Sequence, residues 1–374
     1  MQIRSLLAVA YVLFHGHALF AQAPATPTPK ATPPPPKLTW HDATEWGVEG
    51  RAWIDLPRKR WFQRLPDEAH GKVTDAVWNL SQDSTGMAVR FKTDAPSIWV
   101  RYAVNKTSLA MAHMPATGAS GVDLYARDEH GKWRWVNVTR PDKKEMEVAI
   151  INDLAPGTHE YLAYLPLFNG VEALSIGVPE AAKFESLAPR AEKPVVFYGT
   201  SITHGIAASR PGMVHTAILG RRLDRPVINL GFSGNGRMDA AVGDLLVKID
   251  AAVFVIDCLP NMGPADVRQK CAPLVKQIRA VRPETPIVLV EDRRNTNSWI
   301  LPARAKLHTD NHAALHEVYD ALVKEGVKKL FYLPGDALLG DDGDGATDGS
   351  HPNDLGFMRQ SDAFEPALRQ ALGQ

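Results

Sequence analysis

The chain has 374 residues, 45% of them hydrophobic, with 42 Lys plus Arg balancing 42 Asp plus Glu for a formal net charge of zero. That length admits two domains, and that composition an ordinary core. The balanced charge lacks the basic footprint of a nucleic-acid-binding protein, and two cysteines are too few for a disulfide framework.

From the N-terminus, Arg4, the mostly apolar residues 6–20 and the small-x-small Ala21-Gln22-Ala23 have the form of an export signal over residues 1–23. His15, Gly16 and His17 interrupt the apolar run, which is shorter than a bilayer span requires. The expectation is a mature protein in the periplasm or outside the cell, without stable membrane insertion. Residues 24–37, rich in Pro, Ala and Thr, read as an extended polyproline-like linker.

Residues 38–180 are β-rich. Apolar and polar residues alternate in segments 87–92, 97–104, 121–126, 133–138, 145–150 and 157–164. Turn signals such as Asp83-Ser84-Thr85-Gly86 and Asp128-Glu129-His130-Gly131 separate them, which predicts a β-sandwich. Trp99, Tyr102, Tyr125, Trp133 and Trp135 are expected to fill its core, the alternative being a sugar-binding face.

Past Pro189 the pattern changes. Apolar runs at 194–198, 226–230, 251–256, 286–290 and 330–333 alternate with helix-like segments at 214–223, 239–249, 265–281 and 303–325. Short buried strands between helices predict an α/β domain over residues 190–374, its parallel sheet covered on both faces. In such sheets the crevice opens beyond the carboxyl ends of the strands, so chemistry is sought after each run. Cys258 and Cys271 are expected to be buried free thiols, and no Cys/His spacing resembles a zinc site.

After the first run stands Gly199-Thr200-Ser201. A serine hydroxyl is a poor nucleophile unless a base takes its proton. Asp348-Gly349-Ser350-His351-Pro352 supplies one: Asp348 can orient His351 from the same loop, leaving the other ring nitrogen for Ser201. No G-x-S-x-G elbow is present. The second run leads into Gly231-Phe232-Ser233-Gly234 and the third into Leu259-Pro260-Asn261-Met262. The amides of Ser201 and Gly234 and the side chain of Asn261 are candidate oxyanion donors. After the fourth run, Arg293, Arg294 and Trp299 are candidate substrate contacts, weighed against a surface ion-pair cluster and a packed aromatic.

Other residues draw weaker readings. Ser233, a rival nucleophile by residue type, is expected to serve a turn, and His204 to have a structural role or one supporting the site. His308, His312 and His316 recur every four residues on one helix face, expected to be a solvent-facing stripe rather than a metal site. The acidic segment 341–354 fails the EF-hand pattern, with Thr347 where glycine belongs and Asn353 where glutamate belongs.

A serine, a glycine and an asparagine after successive strands, then a late D-x-x-H-P, resemble the four blocks of the SGNH (GDSL-like) hydrolases. The match is closest to a bacterial subgroup with G-T-S-I-T, P-N-M and D-G-x-H-P. Gly121-Val122-Asp123-Leu124-Tyr125 matches the G-x-D-L-Y signature of that subgroup's first domain. The resemblance implies a three-layer α/β/α, flavodoxin-like hydrolase domain preceded by a jelly-roll-like β-sandwich. It further implies ester hydrolysis without metal or cofactor, often deacylation of carbohydrates. Leu259-Pro260-Asn261-Met262 departs from the family's usual G-x-N-D. The expected activity is that of an exported serine esterase removing short acyl groups, acetyl above all, from a small-molecule or glycan ester. A lipid- or thioester-directed acylhydrolase and a non-catalytic glycan-binding protein are the alternatives.

Overall fold

The structure is a computed structural model that describes residues 36–374. The export-signal segment and nearly all of the proline-rich linker lie outside the described residues. Among the described residues no helix is long and apolar enough to cross a membrane.

Alternating strands with one wet and one dry face pair into two antiparallel sheets. The elements in chain order are β1 (Leu38–Asp42), α1 (Asp75–Leu80), β2 (Ala88–Thr93), β3 (Ile98–Val104), α2 (Ala116–Ala119) and β4 (Asp123–Arg127). They continue with β5 (Trp133–Val138), β6 (Glu145–Ile151), β7 (His159–Tyr164), β8 (Val171–Pro179) and β9 (Phe184–Leu187). One sheet runs β1-β8-β3-β6 and the other β5-β4-β7-β2-β9. In β3, Ile98, Val100, Tyr102 and Val104 point inward, where they join Val89, Phe91, Leu124 and Tyr161 of the facing sheet in one core. Tyr102 and Tyr125 are buried, whereas Trp135 is half exposed.

The second half alternates β10 (Val195–Gly199), α3 (Ser201–His204), α4 (His215–Arg222), β11 (Val227–Gly231), α5 (Ala240–Leu246) and β12 (Val253–Asp257). It ends with α6 (Pro264–Val281), β13 (Ile287–Val290), α7 (Pro302–Lys324), β14 (Leu330–Leu333) and α8 (Asp354–Leu372). The five strands are parallel, in the order β11-β10-β12-β13-β14. Val196, Tyr198, Phe254, Ile256 and Leu289 face Leu245, Leu274 and Leu315 of α5, α6 and α7. Their neighbours Val195, Phe197, Val253, Val255 and Val288 face Leu219 of α4 and Phe364 and Leu368 of α8. Burial on both faces explains why these strands read as continuous apolar runs.

The two halves interlock. Ala52, Leu65, Ala69, Val73 and Val77 precede most of the sandwich in sequence, yet their side chains belong to the core of the parallel sheet. Arg64 from this segment is fully buried and donates to the carbonyls of Gly231 (2.7 Å), Asn229 (3.2 Å), Leu80 (2.7 Å) and Asp83 (3.1 Å). It thereby holds the carboxyl end of β11 from behind.

The G-x-D-L-Y segment has a second connecting role. The buried Asp123 carboxylate accepts from Trp135 Nε1 (2.9 Å), the Gly212 amide (2.8 Å) and Arg210 Nη1 (3.1 Å). Gly212 and Arg210 lie in the loop between α3 and α4, so the carboxylate latches the sandwich onto the segment that follows Ser201. Asp123→Ala leaves Arg210 without its anion and the amide without an acceptor. The expected cost is about 3–5 kcal/mol of unfolding free energy, measurable by urea denaturation.

Candidate active site

The strand order changes direction between β10 and β12, and Ser201 stands at that switch, two residues beyond the end of β10. Thr200 caps α3, its Oγ1 accepting from Ile202 N at 3.3 Å. Gly199 is required because a Cβ there would collide with Thr203 Oγ1. As the first residue of α3, Ser201 keeps an N–H with no acceptor inside the helix.

Beyond β14 the chain returns to the same point. Asp348 Oδ1 accepts from the amides of Ser350 (3.0 Å) and His351 (2.8 Å), and this tight turn is what the three-residue spacing builds. Gly349 makes the turn at φ 82°, in the left-handed region. Asp348 Oδ2 meets His351 Nδ1 at 2.7 Å, and His351 Nε2 meets Ser201 Oγ at 2.9 Å. With the ring proton held on Nδ1 by the carboxylate, Nε2 is the acceptor for the serine hydroxyl. Burial pushes the Asp348 carboxyl up, but the amide and ring of His351 and the amide of Ser350 outweigh it and bring the carboxyl down to about 2. Asp348 is therefore an anion at any pH where the ring could act as a base.

The loops after β11 and β12 meet beside Ser201. Asn261 closes a single helical turn, Leu259–Asn261. Its amide is assigned with Oδ1 rather than Nδ2 toward two backbone donors, Asn235 N at 3.1 Å and Gly236 N at 3.2 Å, which leaves Nδ2 facing acceptors. Gly234 sits at the exposed tip of its turn at φ 71°, its N–H without a partner among the described residues. Ser233 lies in the same turn, its carbonyl accepting from Asn235 Nδ2 (2.8 Å), and its hydroxyl has no histidine partner among the described residues.

Arg293 is held inward by its own segment and by the Asp348 turn. It is buried, and its guanidinium is consumed by Asp292, by the carbonyl of Ser350 (3.0 Å) and by Ser350 Oγ. It braces Ser350, which lies between Asp348 and His351. The histidines of α7 are not a solvent-facing stripe: His308 and His312 are buried and only His316 is exposed. His308 Nδ1 bonds Asp292 Oδ2 (3.0 Å) while its Nε2 accepts from Asn295 N (3.2 Å), and His312 Nε2 donates to the Asp292 carbonyl (2.6 Å). Burial works against the charge on Asp292, but Arg293 and His308 prevail and hold it below the usual carboxylate range. The polar face of α7 anchors the segment after β13 rather than meeting water. Arg293→Lys keeps a cation beside Asp292 but loses the fork. It is expected to lower kcat about 100-fold with KM nearly unchanged, because small displacements of a reacting group cost that much.

Of the other two candidates, Arg294 pairs with Asp336 (2.6 Å) at the surface, and Trp299 is 83% exposed on the same segment, flanked by exposed Ile300 and Leu301. His204 is fully buried, bonds the Leu167 carbonyl at 2.8 Å and stacks on Phe168, with burial and then Arg64 pushing its pKa well below the ordinary histidine value. Cys258 and Cys271 are free and buried.

Sequence reading missed two groups near the triad. Asp257, at the end of β12, is buried against Thr203 Oγ1 (3.0 Å), and its carboxyl is pushed up to about 7 by burial. An aspartate ending an apolar run was the only signal. His113 comes from the sandwich domain, and its ring meets that of His351 edge-on with centroids 5.6 Å apart. Nothing local to the sequence marks it.

Residues 192–369 match the GDSL-like lipase/acylhydrolase family, and residues 38–184 match the N-terminus of the SGNH-hydrolase type of esterase. No curated protein matches the chain. A solved protein described as a GDSL-like lipase from Bacteroides ovatus is 31% identical, covering 90% of this chain and 98% of that one with a TM-score of 0.85. The salicylyl-acyltransferase SsfX3 from a tetracycline biosynthetic pathway is 21% identical over 92% of this chain and 97% of its own, with a TM-score of 0.68. A family two carbohydrate esterase from Cellvibrio japonicus is 12% identical over 90% and 98%, with a TM-score of 0.56. The last two are likenesses of fold. The near-complete overlap with the Bacteroides protein, together with the two family matches, shows that the chain belongs to the GDSL-like lipase/acylhydrolase family and carries the N-terminal domain of SGNH-type esterases.

Proposed function

We propose that this protein is an exported serine esterase that removes short acyl groups, acetyl above all, from carbohydrate. The hydrogen-bonded chain from Ser201 Oγ through His351 to Asp348 carries the reading. Ser201 Oγ attacks the ester carbonyl as His351 Nε2 takes its proton, and Asp348 stabilises the imidazolium. The tetrahedral oxyanion accepts from the amides of Ser201 and Gly234 and from Asn261 Nδ2. His351 returns the proton to the leaving alcohol, and the acyl group stays on Ser201. His351 then draws a proton from water, which attacks the acyl-enzyme, and returns that proton to Ser201 Oγ as the acid is released.

The carbohydrate part of the proposal draws on the carbohydrate esterases that share this fold and on the exposed Trp299, which lies on the segment whose Thr296 N–H bonds the Gly349 carbonyl at 2.8 Å. An aromatic face open to water suits a sugar ring. Export draws on the pattern of residues 1–23. The reading is tested by acetate release from acetylated oligosaccharides, by nitrophenyl esters of increasing chain length, and by a fluorophosphonate label. Activity should peak at acetyl, and mass spectrometry should place a single label on Ser201. A rate that climbs with acyl length would favour a lipid-directed enzyme, and labelling elsewhere would remove Ser201 from the mechanism.

A further inference from the structure

His113 sits in a tight loop of the sandwich domain. Met111 and Met114 exchange backbone hydrogen bonds at 2.9 and 3.1 Å on either side of it, which holds the main chain of the loop at this point. One ligand atom each from His113, Asp348 and His351 lies within 4.8 Å of the other two. The two imidazoles are half-buried and the carboxylate is exposed, so an ion can enter from solvent. Two neutral imidazole nitrogens and one carboxylate oxygen are a donor set that zinc favours, with a fourth position left for water.

We propose that His113, Asp348 and His351 form an inhibitory site for zinc or a similar divalent transition metal, so that the sandwich domain supplies a ligand that closes the triad. The inhibitory part rests on the esterase reading above; the binding part does not. The chemistry of inhibition follows from the ring. A metal on Nε2 takes the lone pair aimed at Ser201. A metal on Nδ1 displaces the proton shared with Asp348, and the neutral ring then carries its proton on Nε2. From there the ring donates to Ser201 Oγ and cannot accept from it. Either way the base is lost without any covalent change, and a chelator should restore it.

The test uses the full chain without a polyhistidine tag. Zinc is titrated against a chromophoric chelator with wild type, His113→Ala, His113→Gln and Ser201→Ala, each checked by its melting temperature. Wild type and Ser201→Ala should bind one zinc alike, since the hydroxyl is not a ligand. Both His113 variants should bind at least about tenfold more weakly. In parallel, ester hydrolysis by each active form is compared with and without zinc. Wild type should be inhibited and recover on chelation, and the His113 variants should need at least about tenfold more zinc for the same fractional loss. Absence of stoichiometric binding by wild type, or wild-type affinity in both His113 variants, overturns the proposal. Stoichiometric, His113-dependent binding by a chain that hydrolyses no ester supports the site and refutes the esterase reading instead.

Discussion

Replacing Ser201 by alanine is expected to lower kcat for a short-chain nitrophenyl ester by about 10⁶-fold, the loss seen when a nucleophile is removed from a group that acts as a unit. The residual rate comes from the oxyanion donors, which the substitution leaves in place. Stability should barely move. The hydroxyl makes one hydrogen bond, to His351, which is worth about 1 kcal/mol net and shifts the melting temperature of a chain this size by about 2 °C. A large activity loss at constant melting temperature separates chemistry from folding. An unchanged rate in a folded Ser201→Ala protein would end the acyl-enzyme mechanism.

Asp348→Asn should lower kcat by about 10⁴-fold, as the equivalent change does in serine proteases. The asparagine oxygen can still accept from the amides of Ser350 and His351, so the turn survives. Its NH₂ group now faces Nδ1, which must give up its proton and act as acceptor. The ring proton moves to Nε2, the wrong tautomer for a base. The variant also has a signature in acid. The Asp348 carboxyl is held at about 2 in the folded chain, below its ordinary value of 3.8. Its contribution to stability is complete above the unfolded value and is lost as pH falls through about 2. Asp348→Asn should therefore lose less stability than wild type on acidification. The difference will be small, since the side chain is exposed and water screens the interaction. Urea denaturation at pH 6 and pH 3 measures it.

Much of the parallel sheet was legible because its strands are dry on both faces. The apolar runs mark β10 to β14 to within a residue or two, the offset in β10, β11 and β13 falling at Pro194, Pro226 and Pro286. Proline has no N–H to give the ladder. Elements whose partners lie elsewhere were missed. In β8, Gly177 and Pro179 look like turn signals, but Gly177 is small because the Trp40 ring of β1 packs onto it, a Cβ there falling 2.8 Å from Trp40 Cζ3. The helix α8 follows a Gly- and Asp-rich stretch that masks its start, although Asn353 caps it by accepting from Gly356 N at 3.0 Å. The G-x-D-L-Y signature was recognisable as a string, while its work, binding Arg210 and Gly212, was not.

The sequence by itself determined the chemical inventory. A serine after one apolar run and Asp348 three residues before His351 stand out by local pattern, and the same pattern singles out Gly234 and Asn261 after two further runs as candidates. A strand end and a three-residue turn are short-range objects, and short-range sterics leave marks in neighbouring residues. Only the tertiary structure decided what surrounds that inventory. It turned Arg293 inward to hold Ser350, buried His308 and His312 behind it, brought Arg64 under β11 and set His113 of the other domain against His351. Each of these depends on contacts between residues far apart in the chain. A side chain's partner there is chosen by how whole layers pack, which no local pattern records.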